Sequence, residues 1–393
     1  MSENYGLCRA CYNTLVFSEK LKMLQEKGLL REIKDRASPQ GPRVVFREKE
    51  YINFSSNDYL GLSAHPFVIE TAKRAMDDYG FGSASSRLLG GGSILHGELE
   101  RKVAQFKGTE AALILNSGYS ANTGIIPAIS DEHTVLFSDE LNHASIIDGC
   151  RLSRAKTLIY RHRDVSHLEE LLKGQKLQKK IVITDTVFSM EGDIAPLEGI
   201  FNTCKSHDAL LYLDDSHGTG VLGNGKGALS HFNIQPEPWI IQMGTFSKAL
   251  GSLGAFIAGS SDLIAWILNT ARSFIFSTTL PACVVAASIA SLELIEKDSG
   301  LIEKLWENRN KTSYLLQSTG YDIMGSETPI MPVRTGTPEN TVRVSTHLYE
   351  RGIFAPAIRP PTVKEPRIRI TMTAAHVSED IEKLIEALTE LKK

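Results

Sequence analysis

The chain has 393 residues, which is enough for two or three domains or for one large domain with an appendage. Hydrophobic residues make up 42% of it and charged residues 23%, and the net charge of −3 is not gathered into runs, which argues against nucleic acid as the main partner. The sequence has no apolar run of membrane-spanning length and no signal-peptide pattern, so we expect a cytoplasmic protein that does not enter a membrane.

The cysteines indicate reduced thiols. They are five in number and scattered along the chain, unlike the regular framework of a disulfide-rich protein. Cys8 and Cys11 form a CxxC pair, but no second pair lies nearby in the sequence to complete a zinc site. We therefore expect no structural metal.

The first part of the chain, residues 1–50, predicts an arm rather than a domain. The segment LVFSEKLKMLQEKGLLREIK, residues 15–34, has leucines spaced among charged residues, which predicts one helix. The polar segment DRASPQGPR comes next and predicts a loop.

Residues 51–285 alternate between short apolar runs and helical patterns, which predicts a large α/β domain. The runs that predict strands are AALILNSG, HTVLFSD, AKTLIYRH, KIVITDTVF, ALLYLDDS, WIIQMGT and GAFIAG. Helical patterns such as HGELERKVAQFKG and DVSHLEELLKGQ lie between them. This order predicts a mostly parallel central sheet covered by helices, with ligands bound beyond the carboxyl ends of the strands.

Residues 286–393 predict a smaller C-terminal α/β domain. The long helical pattern CVVAASIASLELIEKD leads into it, and the β-rich segments TPIMPVRTG and RIRITM follow. The segment SEDIEKLIEALTELKK predicts a last helix.

Two glycine-rich patterns resemble nucleotide-binding motifs but lack their context. Residues 218–223 fit GxGxxG, yet the acidic residues precede the glycines instead of following about twenty residues later, and no helix pattern begins within them. Residues 220–227 nearly fit a P-loop, but Gly227 stands where a serine or threonine is required. We predict no nucleotide site in this segment.

Polar residues follow several predicted strands. The run Ser117-Gly118-Tyr119-Ser120 separates a strand from a helix, and small residues at such a turn offer backbone N–H groups to an anion such as phosphate. Other strand ends carry Asp185, Ser189, Asp214, Asp215, His217, Thr245, Ser247 and Lys248. Singly, each is more typical of a solvated loop. Together they match the needs of pyridoxal 5'-phosphate (PLP), which are a lysine for a Schiff base, a carboxylate for the pyridine nitrogen, and donors for the phosphate.

Lys248 and Asp214 are the centre of this prediction. Lys248 is the one lysine in GTFSKALGSLGAFIAG, and small apolar surroundings lower the pKa of a lysine that must be neutral in order to attack. We choose Asp214 as the carboxylate, because a negative charge keeps the pyridine nitrogen protonated and the ring electron-withdrawing.

The segments named so far are similar to those of a known family. The motifs that carry the resemblance are NFSSNDYLGLSAHP, GSASSRLLGGGSILHGELE, SDELNHASIIDG, TDTVFSMEGDIAPL, LDDSHGTGVLG, GTFSKALGSLGAFIAG, FSTTLP, IRPPTV and RIRITMTAAH. They extend over nearly the whole chain and resemble the α-oxoamine synthases, a family of fold-type I PLP enzymes. The resemblance implies a PLP-dependent transferase that works as a homodimer with shared active sites.

The resemblance also implies a role for each matching residue. Lys248 would hold PLP as a Schiff base, Asp214 would pair with the pyridine nitrogen, and His143 would stack on the ring and contact substrate. His217 and Ser189 would contact the phenolic oxygen. The phosphate would be held by Gly118, Tyr119, Thr245 and Ser247, and from the second subunit by Ser277 and Thr278.

For the substrates, the resemblance implies that Asn57 and Arg369 lie near the carboxylate of the amino acid. The segment RIRI contains two arginines, and the sequence alone does not decide whether Arg369 or Arg367 has this role. Arg31 and Thr362 match positions that contact the acyl substrate. A guanidinium suits a carboxylate because it forms two parallel hydrogen bonds.

The reaction implied is a decarboxylative condensation of an amino acid with an acyl thioester. The segments IRPPTV and STTLP resemble the members that join L-alanine to a pimeloyl thioester, of coenzyme A or of a carrier protein, in biotin biosynthesis. The main alternative is the member that joins glycine to acetyl-CoA, glycine C-acetyltransferase. A hypothesis of another class is a scaffold without activity, against which the intact set of Lys248, Asp214 and His217 argues.

Overall fold

The fold is described by a computed structural model that covers residues 9–27, 29–30, 33–175 and 179–392, without the side chains of residues 9–15. The helices are α1 Arg9–Glu26, α2 Pro66–Tyr79, α3 Ile94–Lys107, α4 Gly118–Ala128, α5 Ala144–Leu152, α6 Val165–Lys173, α7 Leu197–Ser206, α8 Ala228–His231, α9 Ser261–Thr270, α10 Arg272–Ile275, α11 Ala282–Lys297, α12 Gly300–Ser318, α13 Pro338–Glu350 and α14 Ser378–Glu390. The strands are β1 Arg43–Phe46, β2 Lys49–Asn53, β3 Ala111–Leu115, β4 Thr134–Asp139, β5 Lys156–Tyr160, β6 Lys179–Asp185, β7 Ala209–Asp214, β8 Ile240–Thr245, β9 Ala255–Gly259, β10 Ile330–Arg334, β11 Ile353–Phe354, β12 Ala357–Ile358 and β13 Arg367–Thr371.

Seven strands form the central sheet, in the order β3-β9-β8-β7-β6-β4-β5. The pairs within β8-β7-β6-β4-β5 are parallel, whereas β9 runs antiparallel to both β3 and β8. Each of the seven runs that predicted a strand in residues 51–285 is one of these strands. The predicted fold class, a mostly parallel sheet covered by helices, is therefore confirmed.

The sheet is buried on both faces. Within β6 and β7, Val182 and Leu211 belong to one hydrophobic cluster, while Ile181, Ile183 and Tyr212 belong to the cluster on the opposite face. This alternation follows from the pleat, which turns successive side chains to opposite faces. Because each fully buried apolar side chain contributes about 1.5–3 kcal/mol, the two clusters hold the strands and their carboxyl ends firmly in place.

Two smaller three-stranded sheets complete the structure, in the orders β10-β13-β12 and β1-β2-β11. A third hydrophobic cluster joins them to α12, α13 and α14. It also includes Ile52 and Phe54, which precede the strands of the central sheet in the sequence. The C-terminal α/β elements predicted from the sequence are present. The boundaries of the domains, at residues 50 and 285, stay a prediction.

The hairpin of β1 and β2 was not predicted. Its two-residue turn consists of Arg47 and Glu48, both with positive φ, at 46° and 67°. Turns of this kind are normally built from asparagine, aspartate and glycine, so the sequence carries no hairpin signal here.

The predicted helix of the arm was wrong in its bounds. Helix α1 ends at Glu26, and residues 33–35 have no regular structure. The Leu29 N–H donates to the Leu24 carbonyl at 2.8 Å, a bond that closes the last turn, and the sequence places the weak helix former Gly28 directly before it. Cys8 lies outside the described residues, as does the side chain of Cys11.

Among the described residues, no helix is both long and apolar enough to cross a membrane. Those residues also contain no group of histidine, cysteine, aspartate and glutamate side chains arranged to hold a metal ion.

Candidate active site

A cavity of about 220 Å³ opens at the carboxyl edge of the central sheet. Its walls come from the ends of β3, β6, β7 and β8 and from the turns into α4 and α5, as expected for a parallel sheet. The residues predicted for the site that line it are Gly118, Tyr119, His143, Asp214, His217, Thr245, Ser247 and Lys248. The cavity is also lined by Ser117, Ser145, Asp185, Ser216 and Met243. Residues that are far apart in the sequence thus form one site.

One end of the cavity is suited to an anion. Ser117 caps α4 by accepting the Ser120 N–H at 3.1 Å, whereas the N–H groups of Gly118 and Tyr119 have no acceptor among the described residues. A Cβ at Gly118 would lie at van der Waals distance from Met243, Ser216 and Thr245, that is, within the cavity. Free N–H groups and the positive end of a helix favour a phosphate at this position.

Thr245 and Ser247 add hydroxyl groups to this end. Thr245 Oγ1 donates to the Gly254 carbonyl at 2.7 Å and lies 2.7 Å from Ser247 Oγ. Thr245 Oγ1 also accepts the Ser247 N–H at 3.2 Å. Because the Thr245 proton goes to Gly254, the Ser247 hydroxyl is the one available to an anion.

Asp214 is buried at the end of β7 and its carboxylate is held on both oxygens. Oδ2 accepts the Asn122 side-chain amide at 2.8 Å, and Oδ1 accepts the Ser216 N–H at 3.0 Å. A carboxylate fixed in this way faces the cavity with a defined orientation. Its pairing with the pyridine nitrogen of PLP stays a prediction.

Asp185 lies beside Asp214 at the end of the neighbouring strand β6, and the register pairs the two residues directly. Burial raises the pKa of Asp185 well above its usual value, and the charge of Asp214 raises it further, against the effects of the His143 N–H and of Lys248. Asp185 Oδ2 accepts that N–H at 2.7 Å. The raised pKa favours the neutral form of Asp185.

His143 precedes α5 and caps it. Its Nδ1 accepts the Ser145 N–H at 3.3 Å and lies 2.8 Å from Ser145 Oγ. Burial lowers the pKa of His143, with Asp214 opposing and Lys248 reinforcing the shift. The ring is therefore neutral, and with Nδ1 as an acceptor its proton is on Nε2.

Lys248 lies three residues after the end of β8 and lines the cavity. Burial lowers the pKa of its ammonium group to about 8, a shift that Asp214 and Asp185 oppose and Arg369 reinforces. An amine with this pKa is neutral in an appreciable fraction of molecules near neutral pH, which a nucleophile and proton acceptor requires.

His217 is held by a tyrosine that the sequence did not predict. Tyr59 OH lies 2.6 Å from His217 Nδ1, and both side chains are buried. Burial lowers the pKa of His217, together with the charges of Lys248, Arg369 and His143, while burial raises that of Tyr59 to about 12. The tyrosine therefore donates to Nδ1, and the proton of His217 is on Nε2.

Arg369 and Arg367, which the sequence did not separate, differ in their partners. Arg367 forms an ion pair with Glu191 at 3.1 Å. Arg369 binds neutral groups instead: its Nε donates to the Ser189 carbonyl at 2.6 Å and its Nη2 to Asn57 Oδ1 at 3.0 Å. Arg369 thus has no carboxylate partner among the described residues and keeps its charge available for an anion, although neither Arg369 nor Asn57 lines the cavity.

Other predicted residues lie outside the cavity. Ser277 is half-buried and Thr278 exposed, in a segment where the Thr278 carbonyl accepts the Asn116 side-chain amide at 2.6 Å. Thr362 lies in the loop after β12, where its N–H donates to the Arg359 carbonyl at 3.1 Å. Arg31 lies outside the described residues. The side chain of Ser189 is not part of the cavity wall either.

The comparison with protein families gives the class of the chain. Residues 49–388 match the family described as aminotransferase class I and II, and the chain belongs to this family. Within it, a curated protein of Thermodesulfovibrio yellowstonii is 52% identical over 96% of this chain and 97% of its own.

Two further relatives carry a specific name. Proteins of Thermoanaerobacter pseudethanolicus and Geobacter sulfurreducens, both named 8-amino-7-oxononanoate synthase, are each 44% identical over 95% of this chain and cover 96% and 97% of their own lengths. The chain belongs to the family of these synthases, which are enzymes. The resemblance to α-oxoamine synthases found in the sequence is thereby confirmed.

Solved structures agree with the fold. A serine palmitoyltransferase variant from S. paucimobilis with a bound PLP–myriocin aldimine has a TM-score of 0.89 and 27% identity, with 98% of both chains covered. An 8-amino-7-oxononanoate synthase from Francisella tularensis has a TM-score of 0.77 and 26% identity, with 87% of this chain and 98% of that chain covered. The fold is that of the fold-type I PLP-dependent transferases.

Proposed function

We propose that the chain catalyses the decarboxylative condensation of L-alanine with a pimeloyl thioester, in biotin biosynthesis. The products are 8-amino-7-oxononanoate, carbon dioxide and the free thiol of coenzyme A or of an acyl carrier protein. The observation that carries the proposal is the meeting of Lys248, Asp214 and His217 in one cavity of a chain whose relatives bear the name of this synthase.

The donor set of the cavity fits PLP. The free N–H groups of Gly118 and Tyr119, with the hydroxyl of Ser247, would hold the phosphate. Thr245 would join them by turning its hydroxyl proton from the Gly254 carbonyl to the phosphate. Asp214 would pair with the pyridine nitrogen, and Lys248 would hold the cofactor as a Schiff base. When bound, PLP supplies an electron sink that makes the α proton of the amino acid acidic.

The residues of the chain do the remaining work. Lys248, with its lowered pKa, would take the α proton of L-alanine and return it at the end of the reaction. His143 would stack on the ring and steady the substrate. His217, whose Nε2 carries the proton, would donate to the phenolic oxygen, with Ser189 beside it.

The carboxylate of L-alanine would be bound by Arg369 rather than by Arg367. The supporting observation is that Arg367 is already neutralised by Glu191, while Arg369 contacts Asn57, the other residue proposed for the carboxylate. We propose Arg31 and Thr362 for the acyl end, as the resemblance implies.

We further propose that the enzyme is a cytoplasmic homodimer, with a large domain at 51–285, a small domain at 286–393 and an arm at 1–50. Exposed apolar side chains support the dimer: Leu88, Leu89, Ile94 and Phe276 are 53%, 80%, 77% and 70% exposed. They belong to two segments joined by a bridge between Ser86 and Thr278, so they form one surface of the kind that a partner covers. Ser277 and Thr278 would reach the phosphate of the second subunit from this surface.

Shared active sites can be tested by mixing two inactive proteins. A hybrid of Lys248→Ala with a Ser277→Ala/Thr278→Ala chain would contain one unaltered site, because each subunit supplies what the other lacks. After random subunit exchange half of the dimers are hybrids, and each has one unaltered site of two, so we expect such a mixture to recover up to about a quarter of the activity. Recovery of none, with hybrids present on native mass spectrometry, would contradict the shared site.

The substrates are tested by product analysis with purified protein and PLP. L-Alanine and glycine are each offered with pimeloyl-CoA and acetyl-CoA, and the products are identified by mass spectrometry. We expect 8-amino-7-oxononanoate from L-alanine and pimeloyl-CoA, at a rate far above that of the other pairs. Preference for glycine with acetyl-CoA would establish the alternative, glycine C-acetyltransferase. Lys248→Ala is the control without activity.

A further inference from the structure

Asn122 is a buried amide that touches two residues of the site at once. It lies in α4, four residues after Gly118 and so on the same face of the helix, and its side chain is fully buried. Its Nδ2 donates to Asp214 Oδ2 at 2.8 Å and to Ser145 Oγ at 2.9 Å. Its Oδ1 accepts the hydroxyl of Tyr212 at 2.8 Å.

The orientation of the amide follows from its partners. If the amide were turned over, its oxygen would face the Asp214 carboxylate, and two acceptors would meet without a proton between them. The hydroxyl of Tyr212 fixes the other end, because it has a proton to donate to Oδ1. Every hydrogen-bonding group of Asn122 is thus used, inside the protein, in a single arrangement.

The second branch of this network leads to His143. Ser145 Oγ accepts from Asn122, so the one proton of its hydroxyl is free to go to His143 Nδ1, 2.8 Å away. The same nitrogen also receives the Ser145 N–H at 3.3 Å. A single amide therefore connects the carboxylate proposed for the pyridine nitrogen with the histidine proposed for the ring face.

We propose that Asn122 is a positioning residue that fixes the Asp214 carboxylate and, through Ser145, the His143 ring in the arrangement that PLP requires. This inference rests on the proposed function insofar as PLP is the ligand. Asn122 itself has no contact with the cavity, so it acts only through these neighbours. Without it, the Asp214 carboxylate keeps the Ser216 N–H but loses its second fixed donor.

The test is a double-mutant cycle on the affinity for PLP, measured by absorbance and fluorescence titration of the full chain without substrates. Asn122→Leu keeps the size of the side chain and removes both branches. Since a hydrogen bond to a charged group is involved, we expect the dissociation constant of PLP to rise about tenfold or more. In a protein that already carries Asp214→Asn, Asn122→Leu should change the dissociation constant of PLP by less than about threefold. The reason is that the effects of substitutions at two residues that act as a unit do not add.

A purely structural role would give a different result. Asn308→Leu is the matched control, because Asn308 is also buried and its amide donates to two carbonyl groups, of Thr373 and His376, away from the cavity. We expect Asn308→Leu to lower stability without changing the affinity for PLP. An unchanged affinity in Asn122→Leu, or an equal loss with and without Asp214, would overturn the proposal.

Tyr212→Phe keeps the proposal testable if Asn122→Leu does not fold. It removes only the hydroxyl that orients the amide, and we expect a loss of PLP affinity of about threefold to fivefold that disappears in the Asp214→Asn background. A loss that persists there, or no loss at all, would contradict the proposal. The two proposals can fail separately. If the unaltered protein binds PLP but makes its product from other substrates, the proposed function is overturned and the role of Asn122 stands.

Discussion

Asp185 and Asp214 are direct neighbours at the ends of the parallel strands β6 and β7, and they differ in what holds them. The Asp214 carboxylate accepts from the Asn122 amide and the Ser216 N–H, whereas the Asp185 carboxyl group accepts one hydrogen bond from the described residues, that of the His143 N–H. Two adjacent buried carboxyl groups do not both ionise readily, and burial, followed by the charge of Asp214, raises the pKa of Asp185. The neutral form is therefore favoured at Asp185, while the Asp214 carboxylate is held by two N–H donors.

The first prediction follows from this difference. Asp185→Asn replaces a neutral acid by a neutral amide of the same shape, so we expect turnover within about tenfold of the unaltered enzyme. Asp214→Asn removes the charge itself, and since charge stabilisation of this kind is worth about 3–4 kcal/mol, turnover should fall about a hundredfold or more. Steady-state rates of the two variants check this. Equal losses in both would show that the roles of the two carboxyl groups are assigned wrongly.

The second prediction concerns the pH dependence of PLP capture by Lys248. Only the neutral amine attacks the aldehyde, and burial lowers the pKa of Lys248 to about 8. The rate constant of PLP binding, measured by stopped-flow absorbance, should therefore rise with pH and level off above about 8. A rise that continues to the ordinary lysine range near 10 would contradict the lowered pKa.

The third prediction concerns the buried ion pair beneath the site. Lys107 Nζ lies 2.8 Å from Asp215 Oδ2, and both side chains are almost completely buried, at 1% and 3% exposure. Lys107→Met would leave a buried carboxylate without its cation, so we expect the free energy of unfolding to fall by about 3–5 kcal/mol. Denaturant unfolding measures it.

The matched control is the exposed pair of Lys173 and Glu169, at 2.7 Å on the surface of α6. Lys173→Met should leave the free energy of unfolding nearly unchanged, because water and salt screen such pairs. If both variants lose the same amount, burial does not set the strength of the Lys107 pair.

The fourth prediction is a loss of stability at high pH that depends on His162. Its ring lies between Asp139 and Asp193, at 3.0 and 2.9 Å. Burial alone would lower the pKa of His162, but hydrogen bonds and charges from the two carboxylates outweigh it and raise the pKa to about 9. Protonated His162 therefore stabilises the folded state. Its contribution to the free energy of unfolding is complete at pH values below about 6.5, the pKa of histidine in the unfolded chain, and it is lost as the pH rises through about 9.

His162→Gln isolates this contribution from that of other groups that titrate at high pH. We expect the free energy of unfolding of the unaltered protein to exceed that of the variant near pH 6, with the difference shrinking as the pH passes about 9. Chemical denaturation at several pH values measures both. A difference that does not depend on pH would mean that His162 is uncharged in the fold.

Much of the fold and the site could be predicted because the signal is local. Apolar runs ending in polar residues located β6, β7 and β8, and the carboxyl edge of a parallel sheet brought Asp214 and Lys248 together as expected. The roles of the site residues stay predictions. Asp185 was visible at a strand end, but the causes of its raised pKa, which are burial and then the charge of the neighbouring Asp214, exist only in the folded sheet.

Other features had no usable signal. Tyr59 reaches His217 from 158 residues away in the chain, a contact that no local pattern encodes. The sequence carried a weak signal for Asn122. It lies one helical turn after Gly118, so the two residues share a face of α4. The difference between Arg369 and Arg367 depends on Glu191, which approaches from another strand end.

The most direct test of the central claim is to locate the cofactor on the chain. The purified protein is saturated with PLP, reduced with borohydride to fix the imine, digested and mapped by mass spectrometry. The account predicts one pyridoxyl group per chain, on the peptide that contains Lys248, and none on Lys107. A label on another lysine, or a labelled Lys248→Ala protein with the absorbance of the unaltered enzyme, would contradict it.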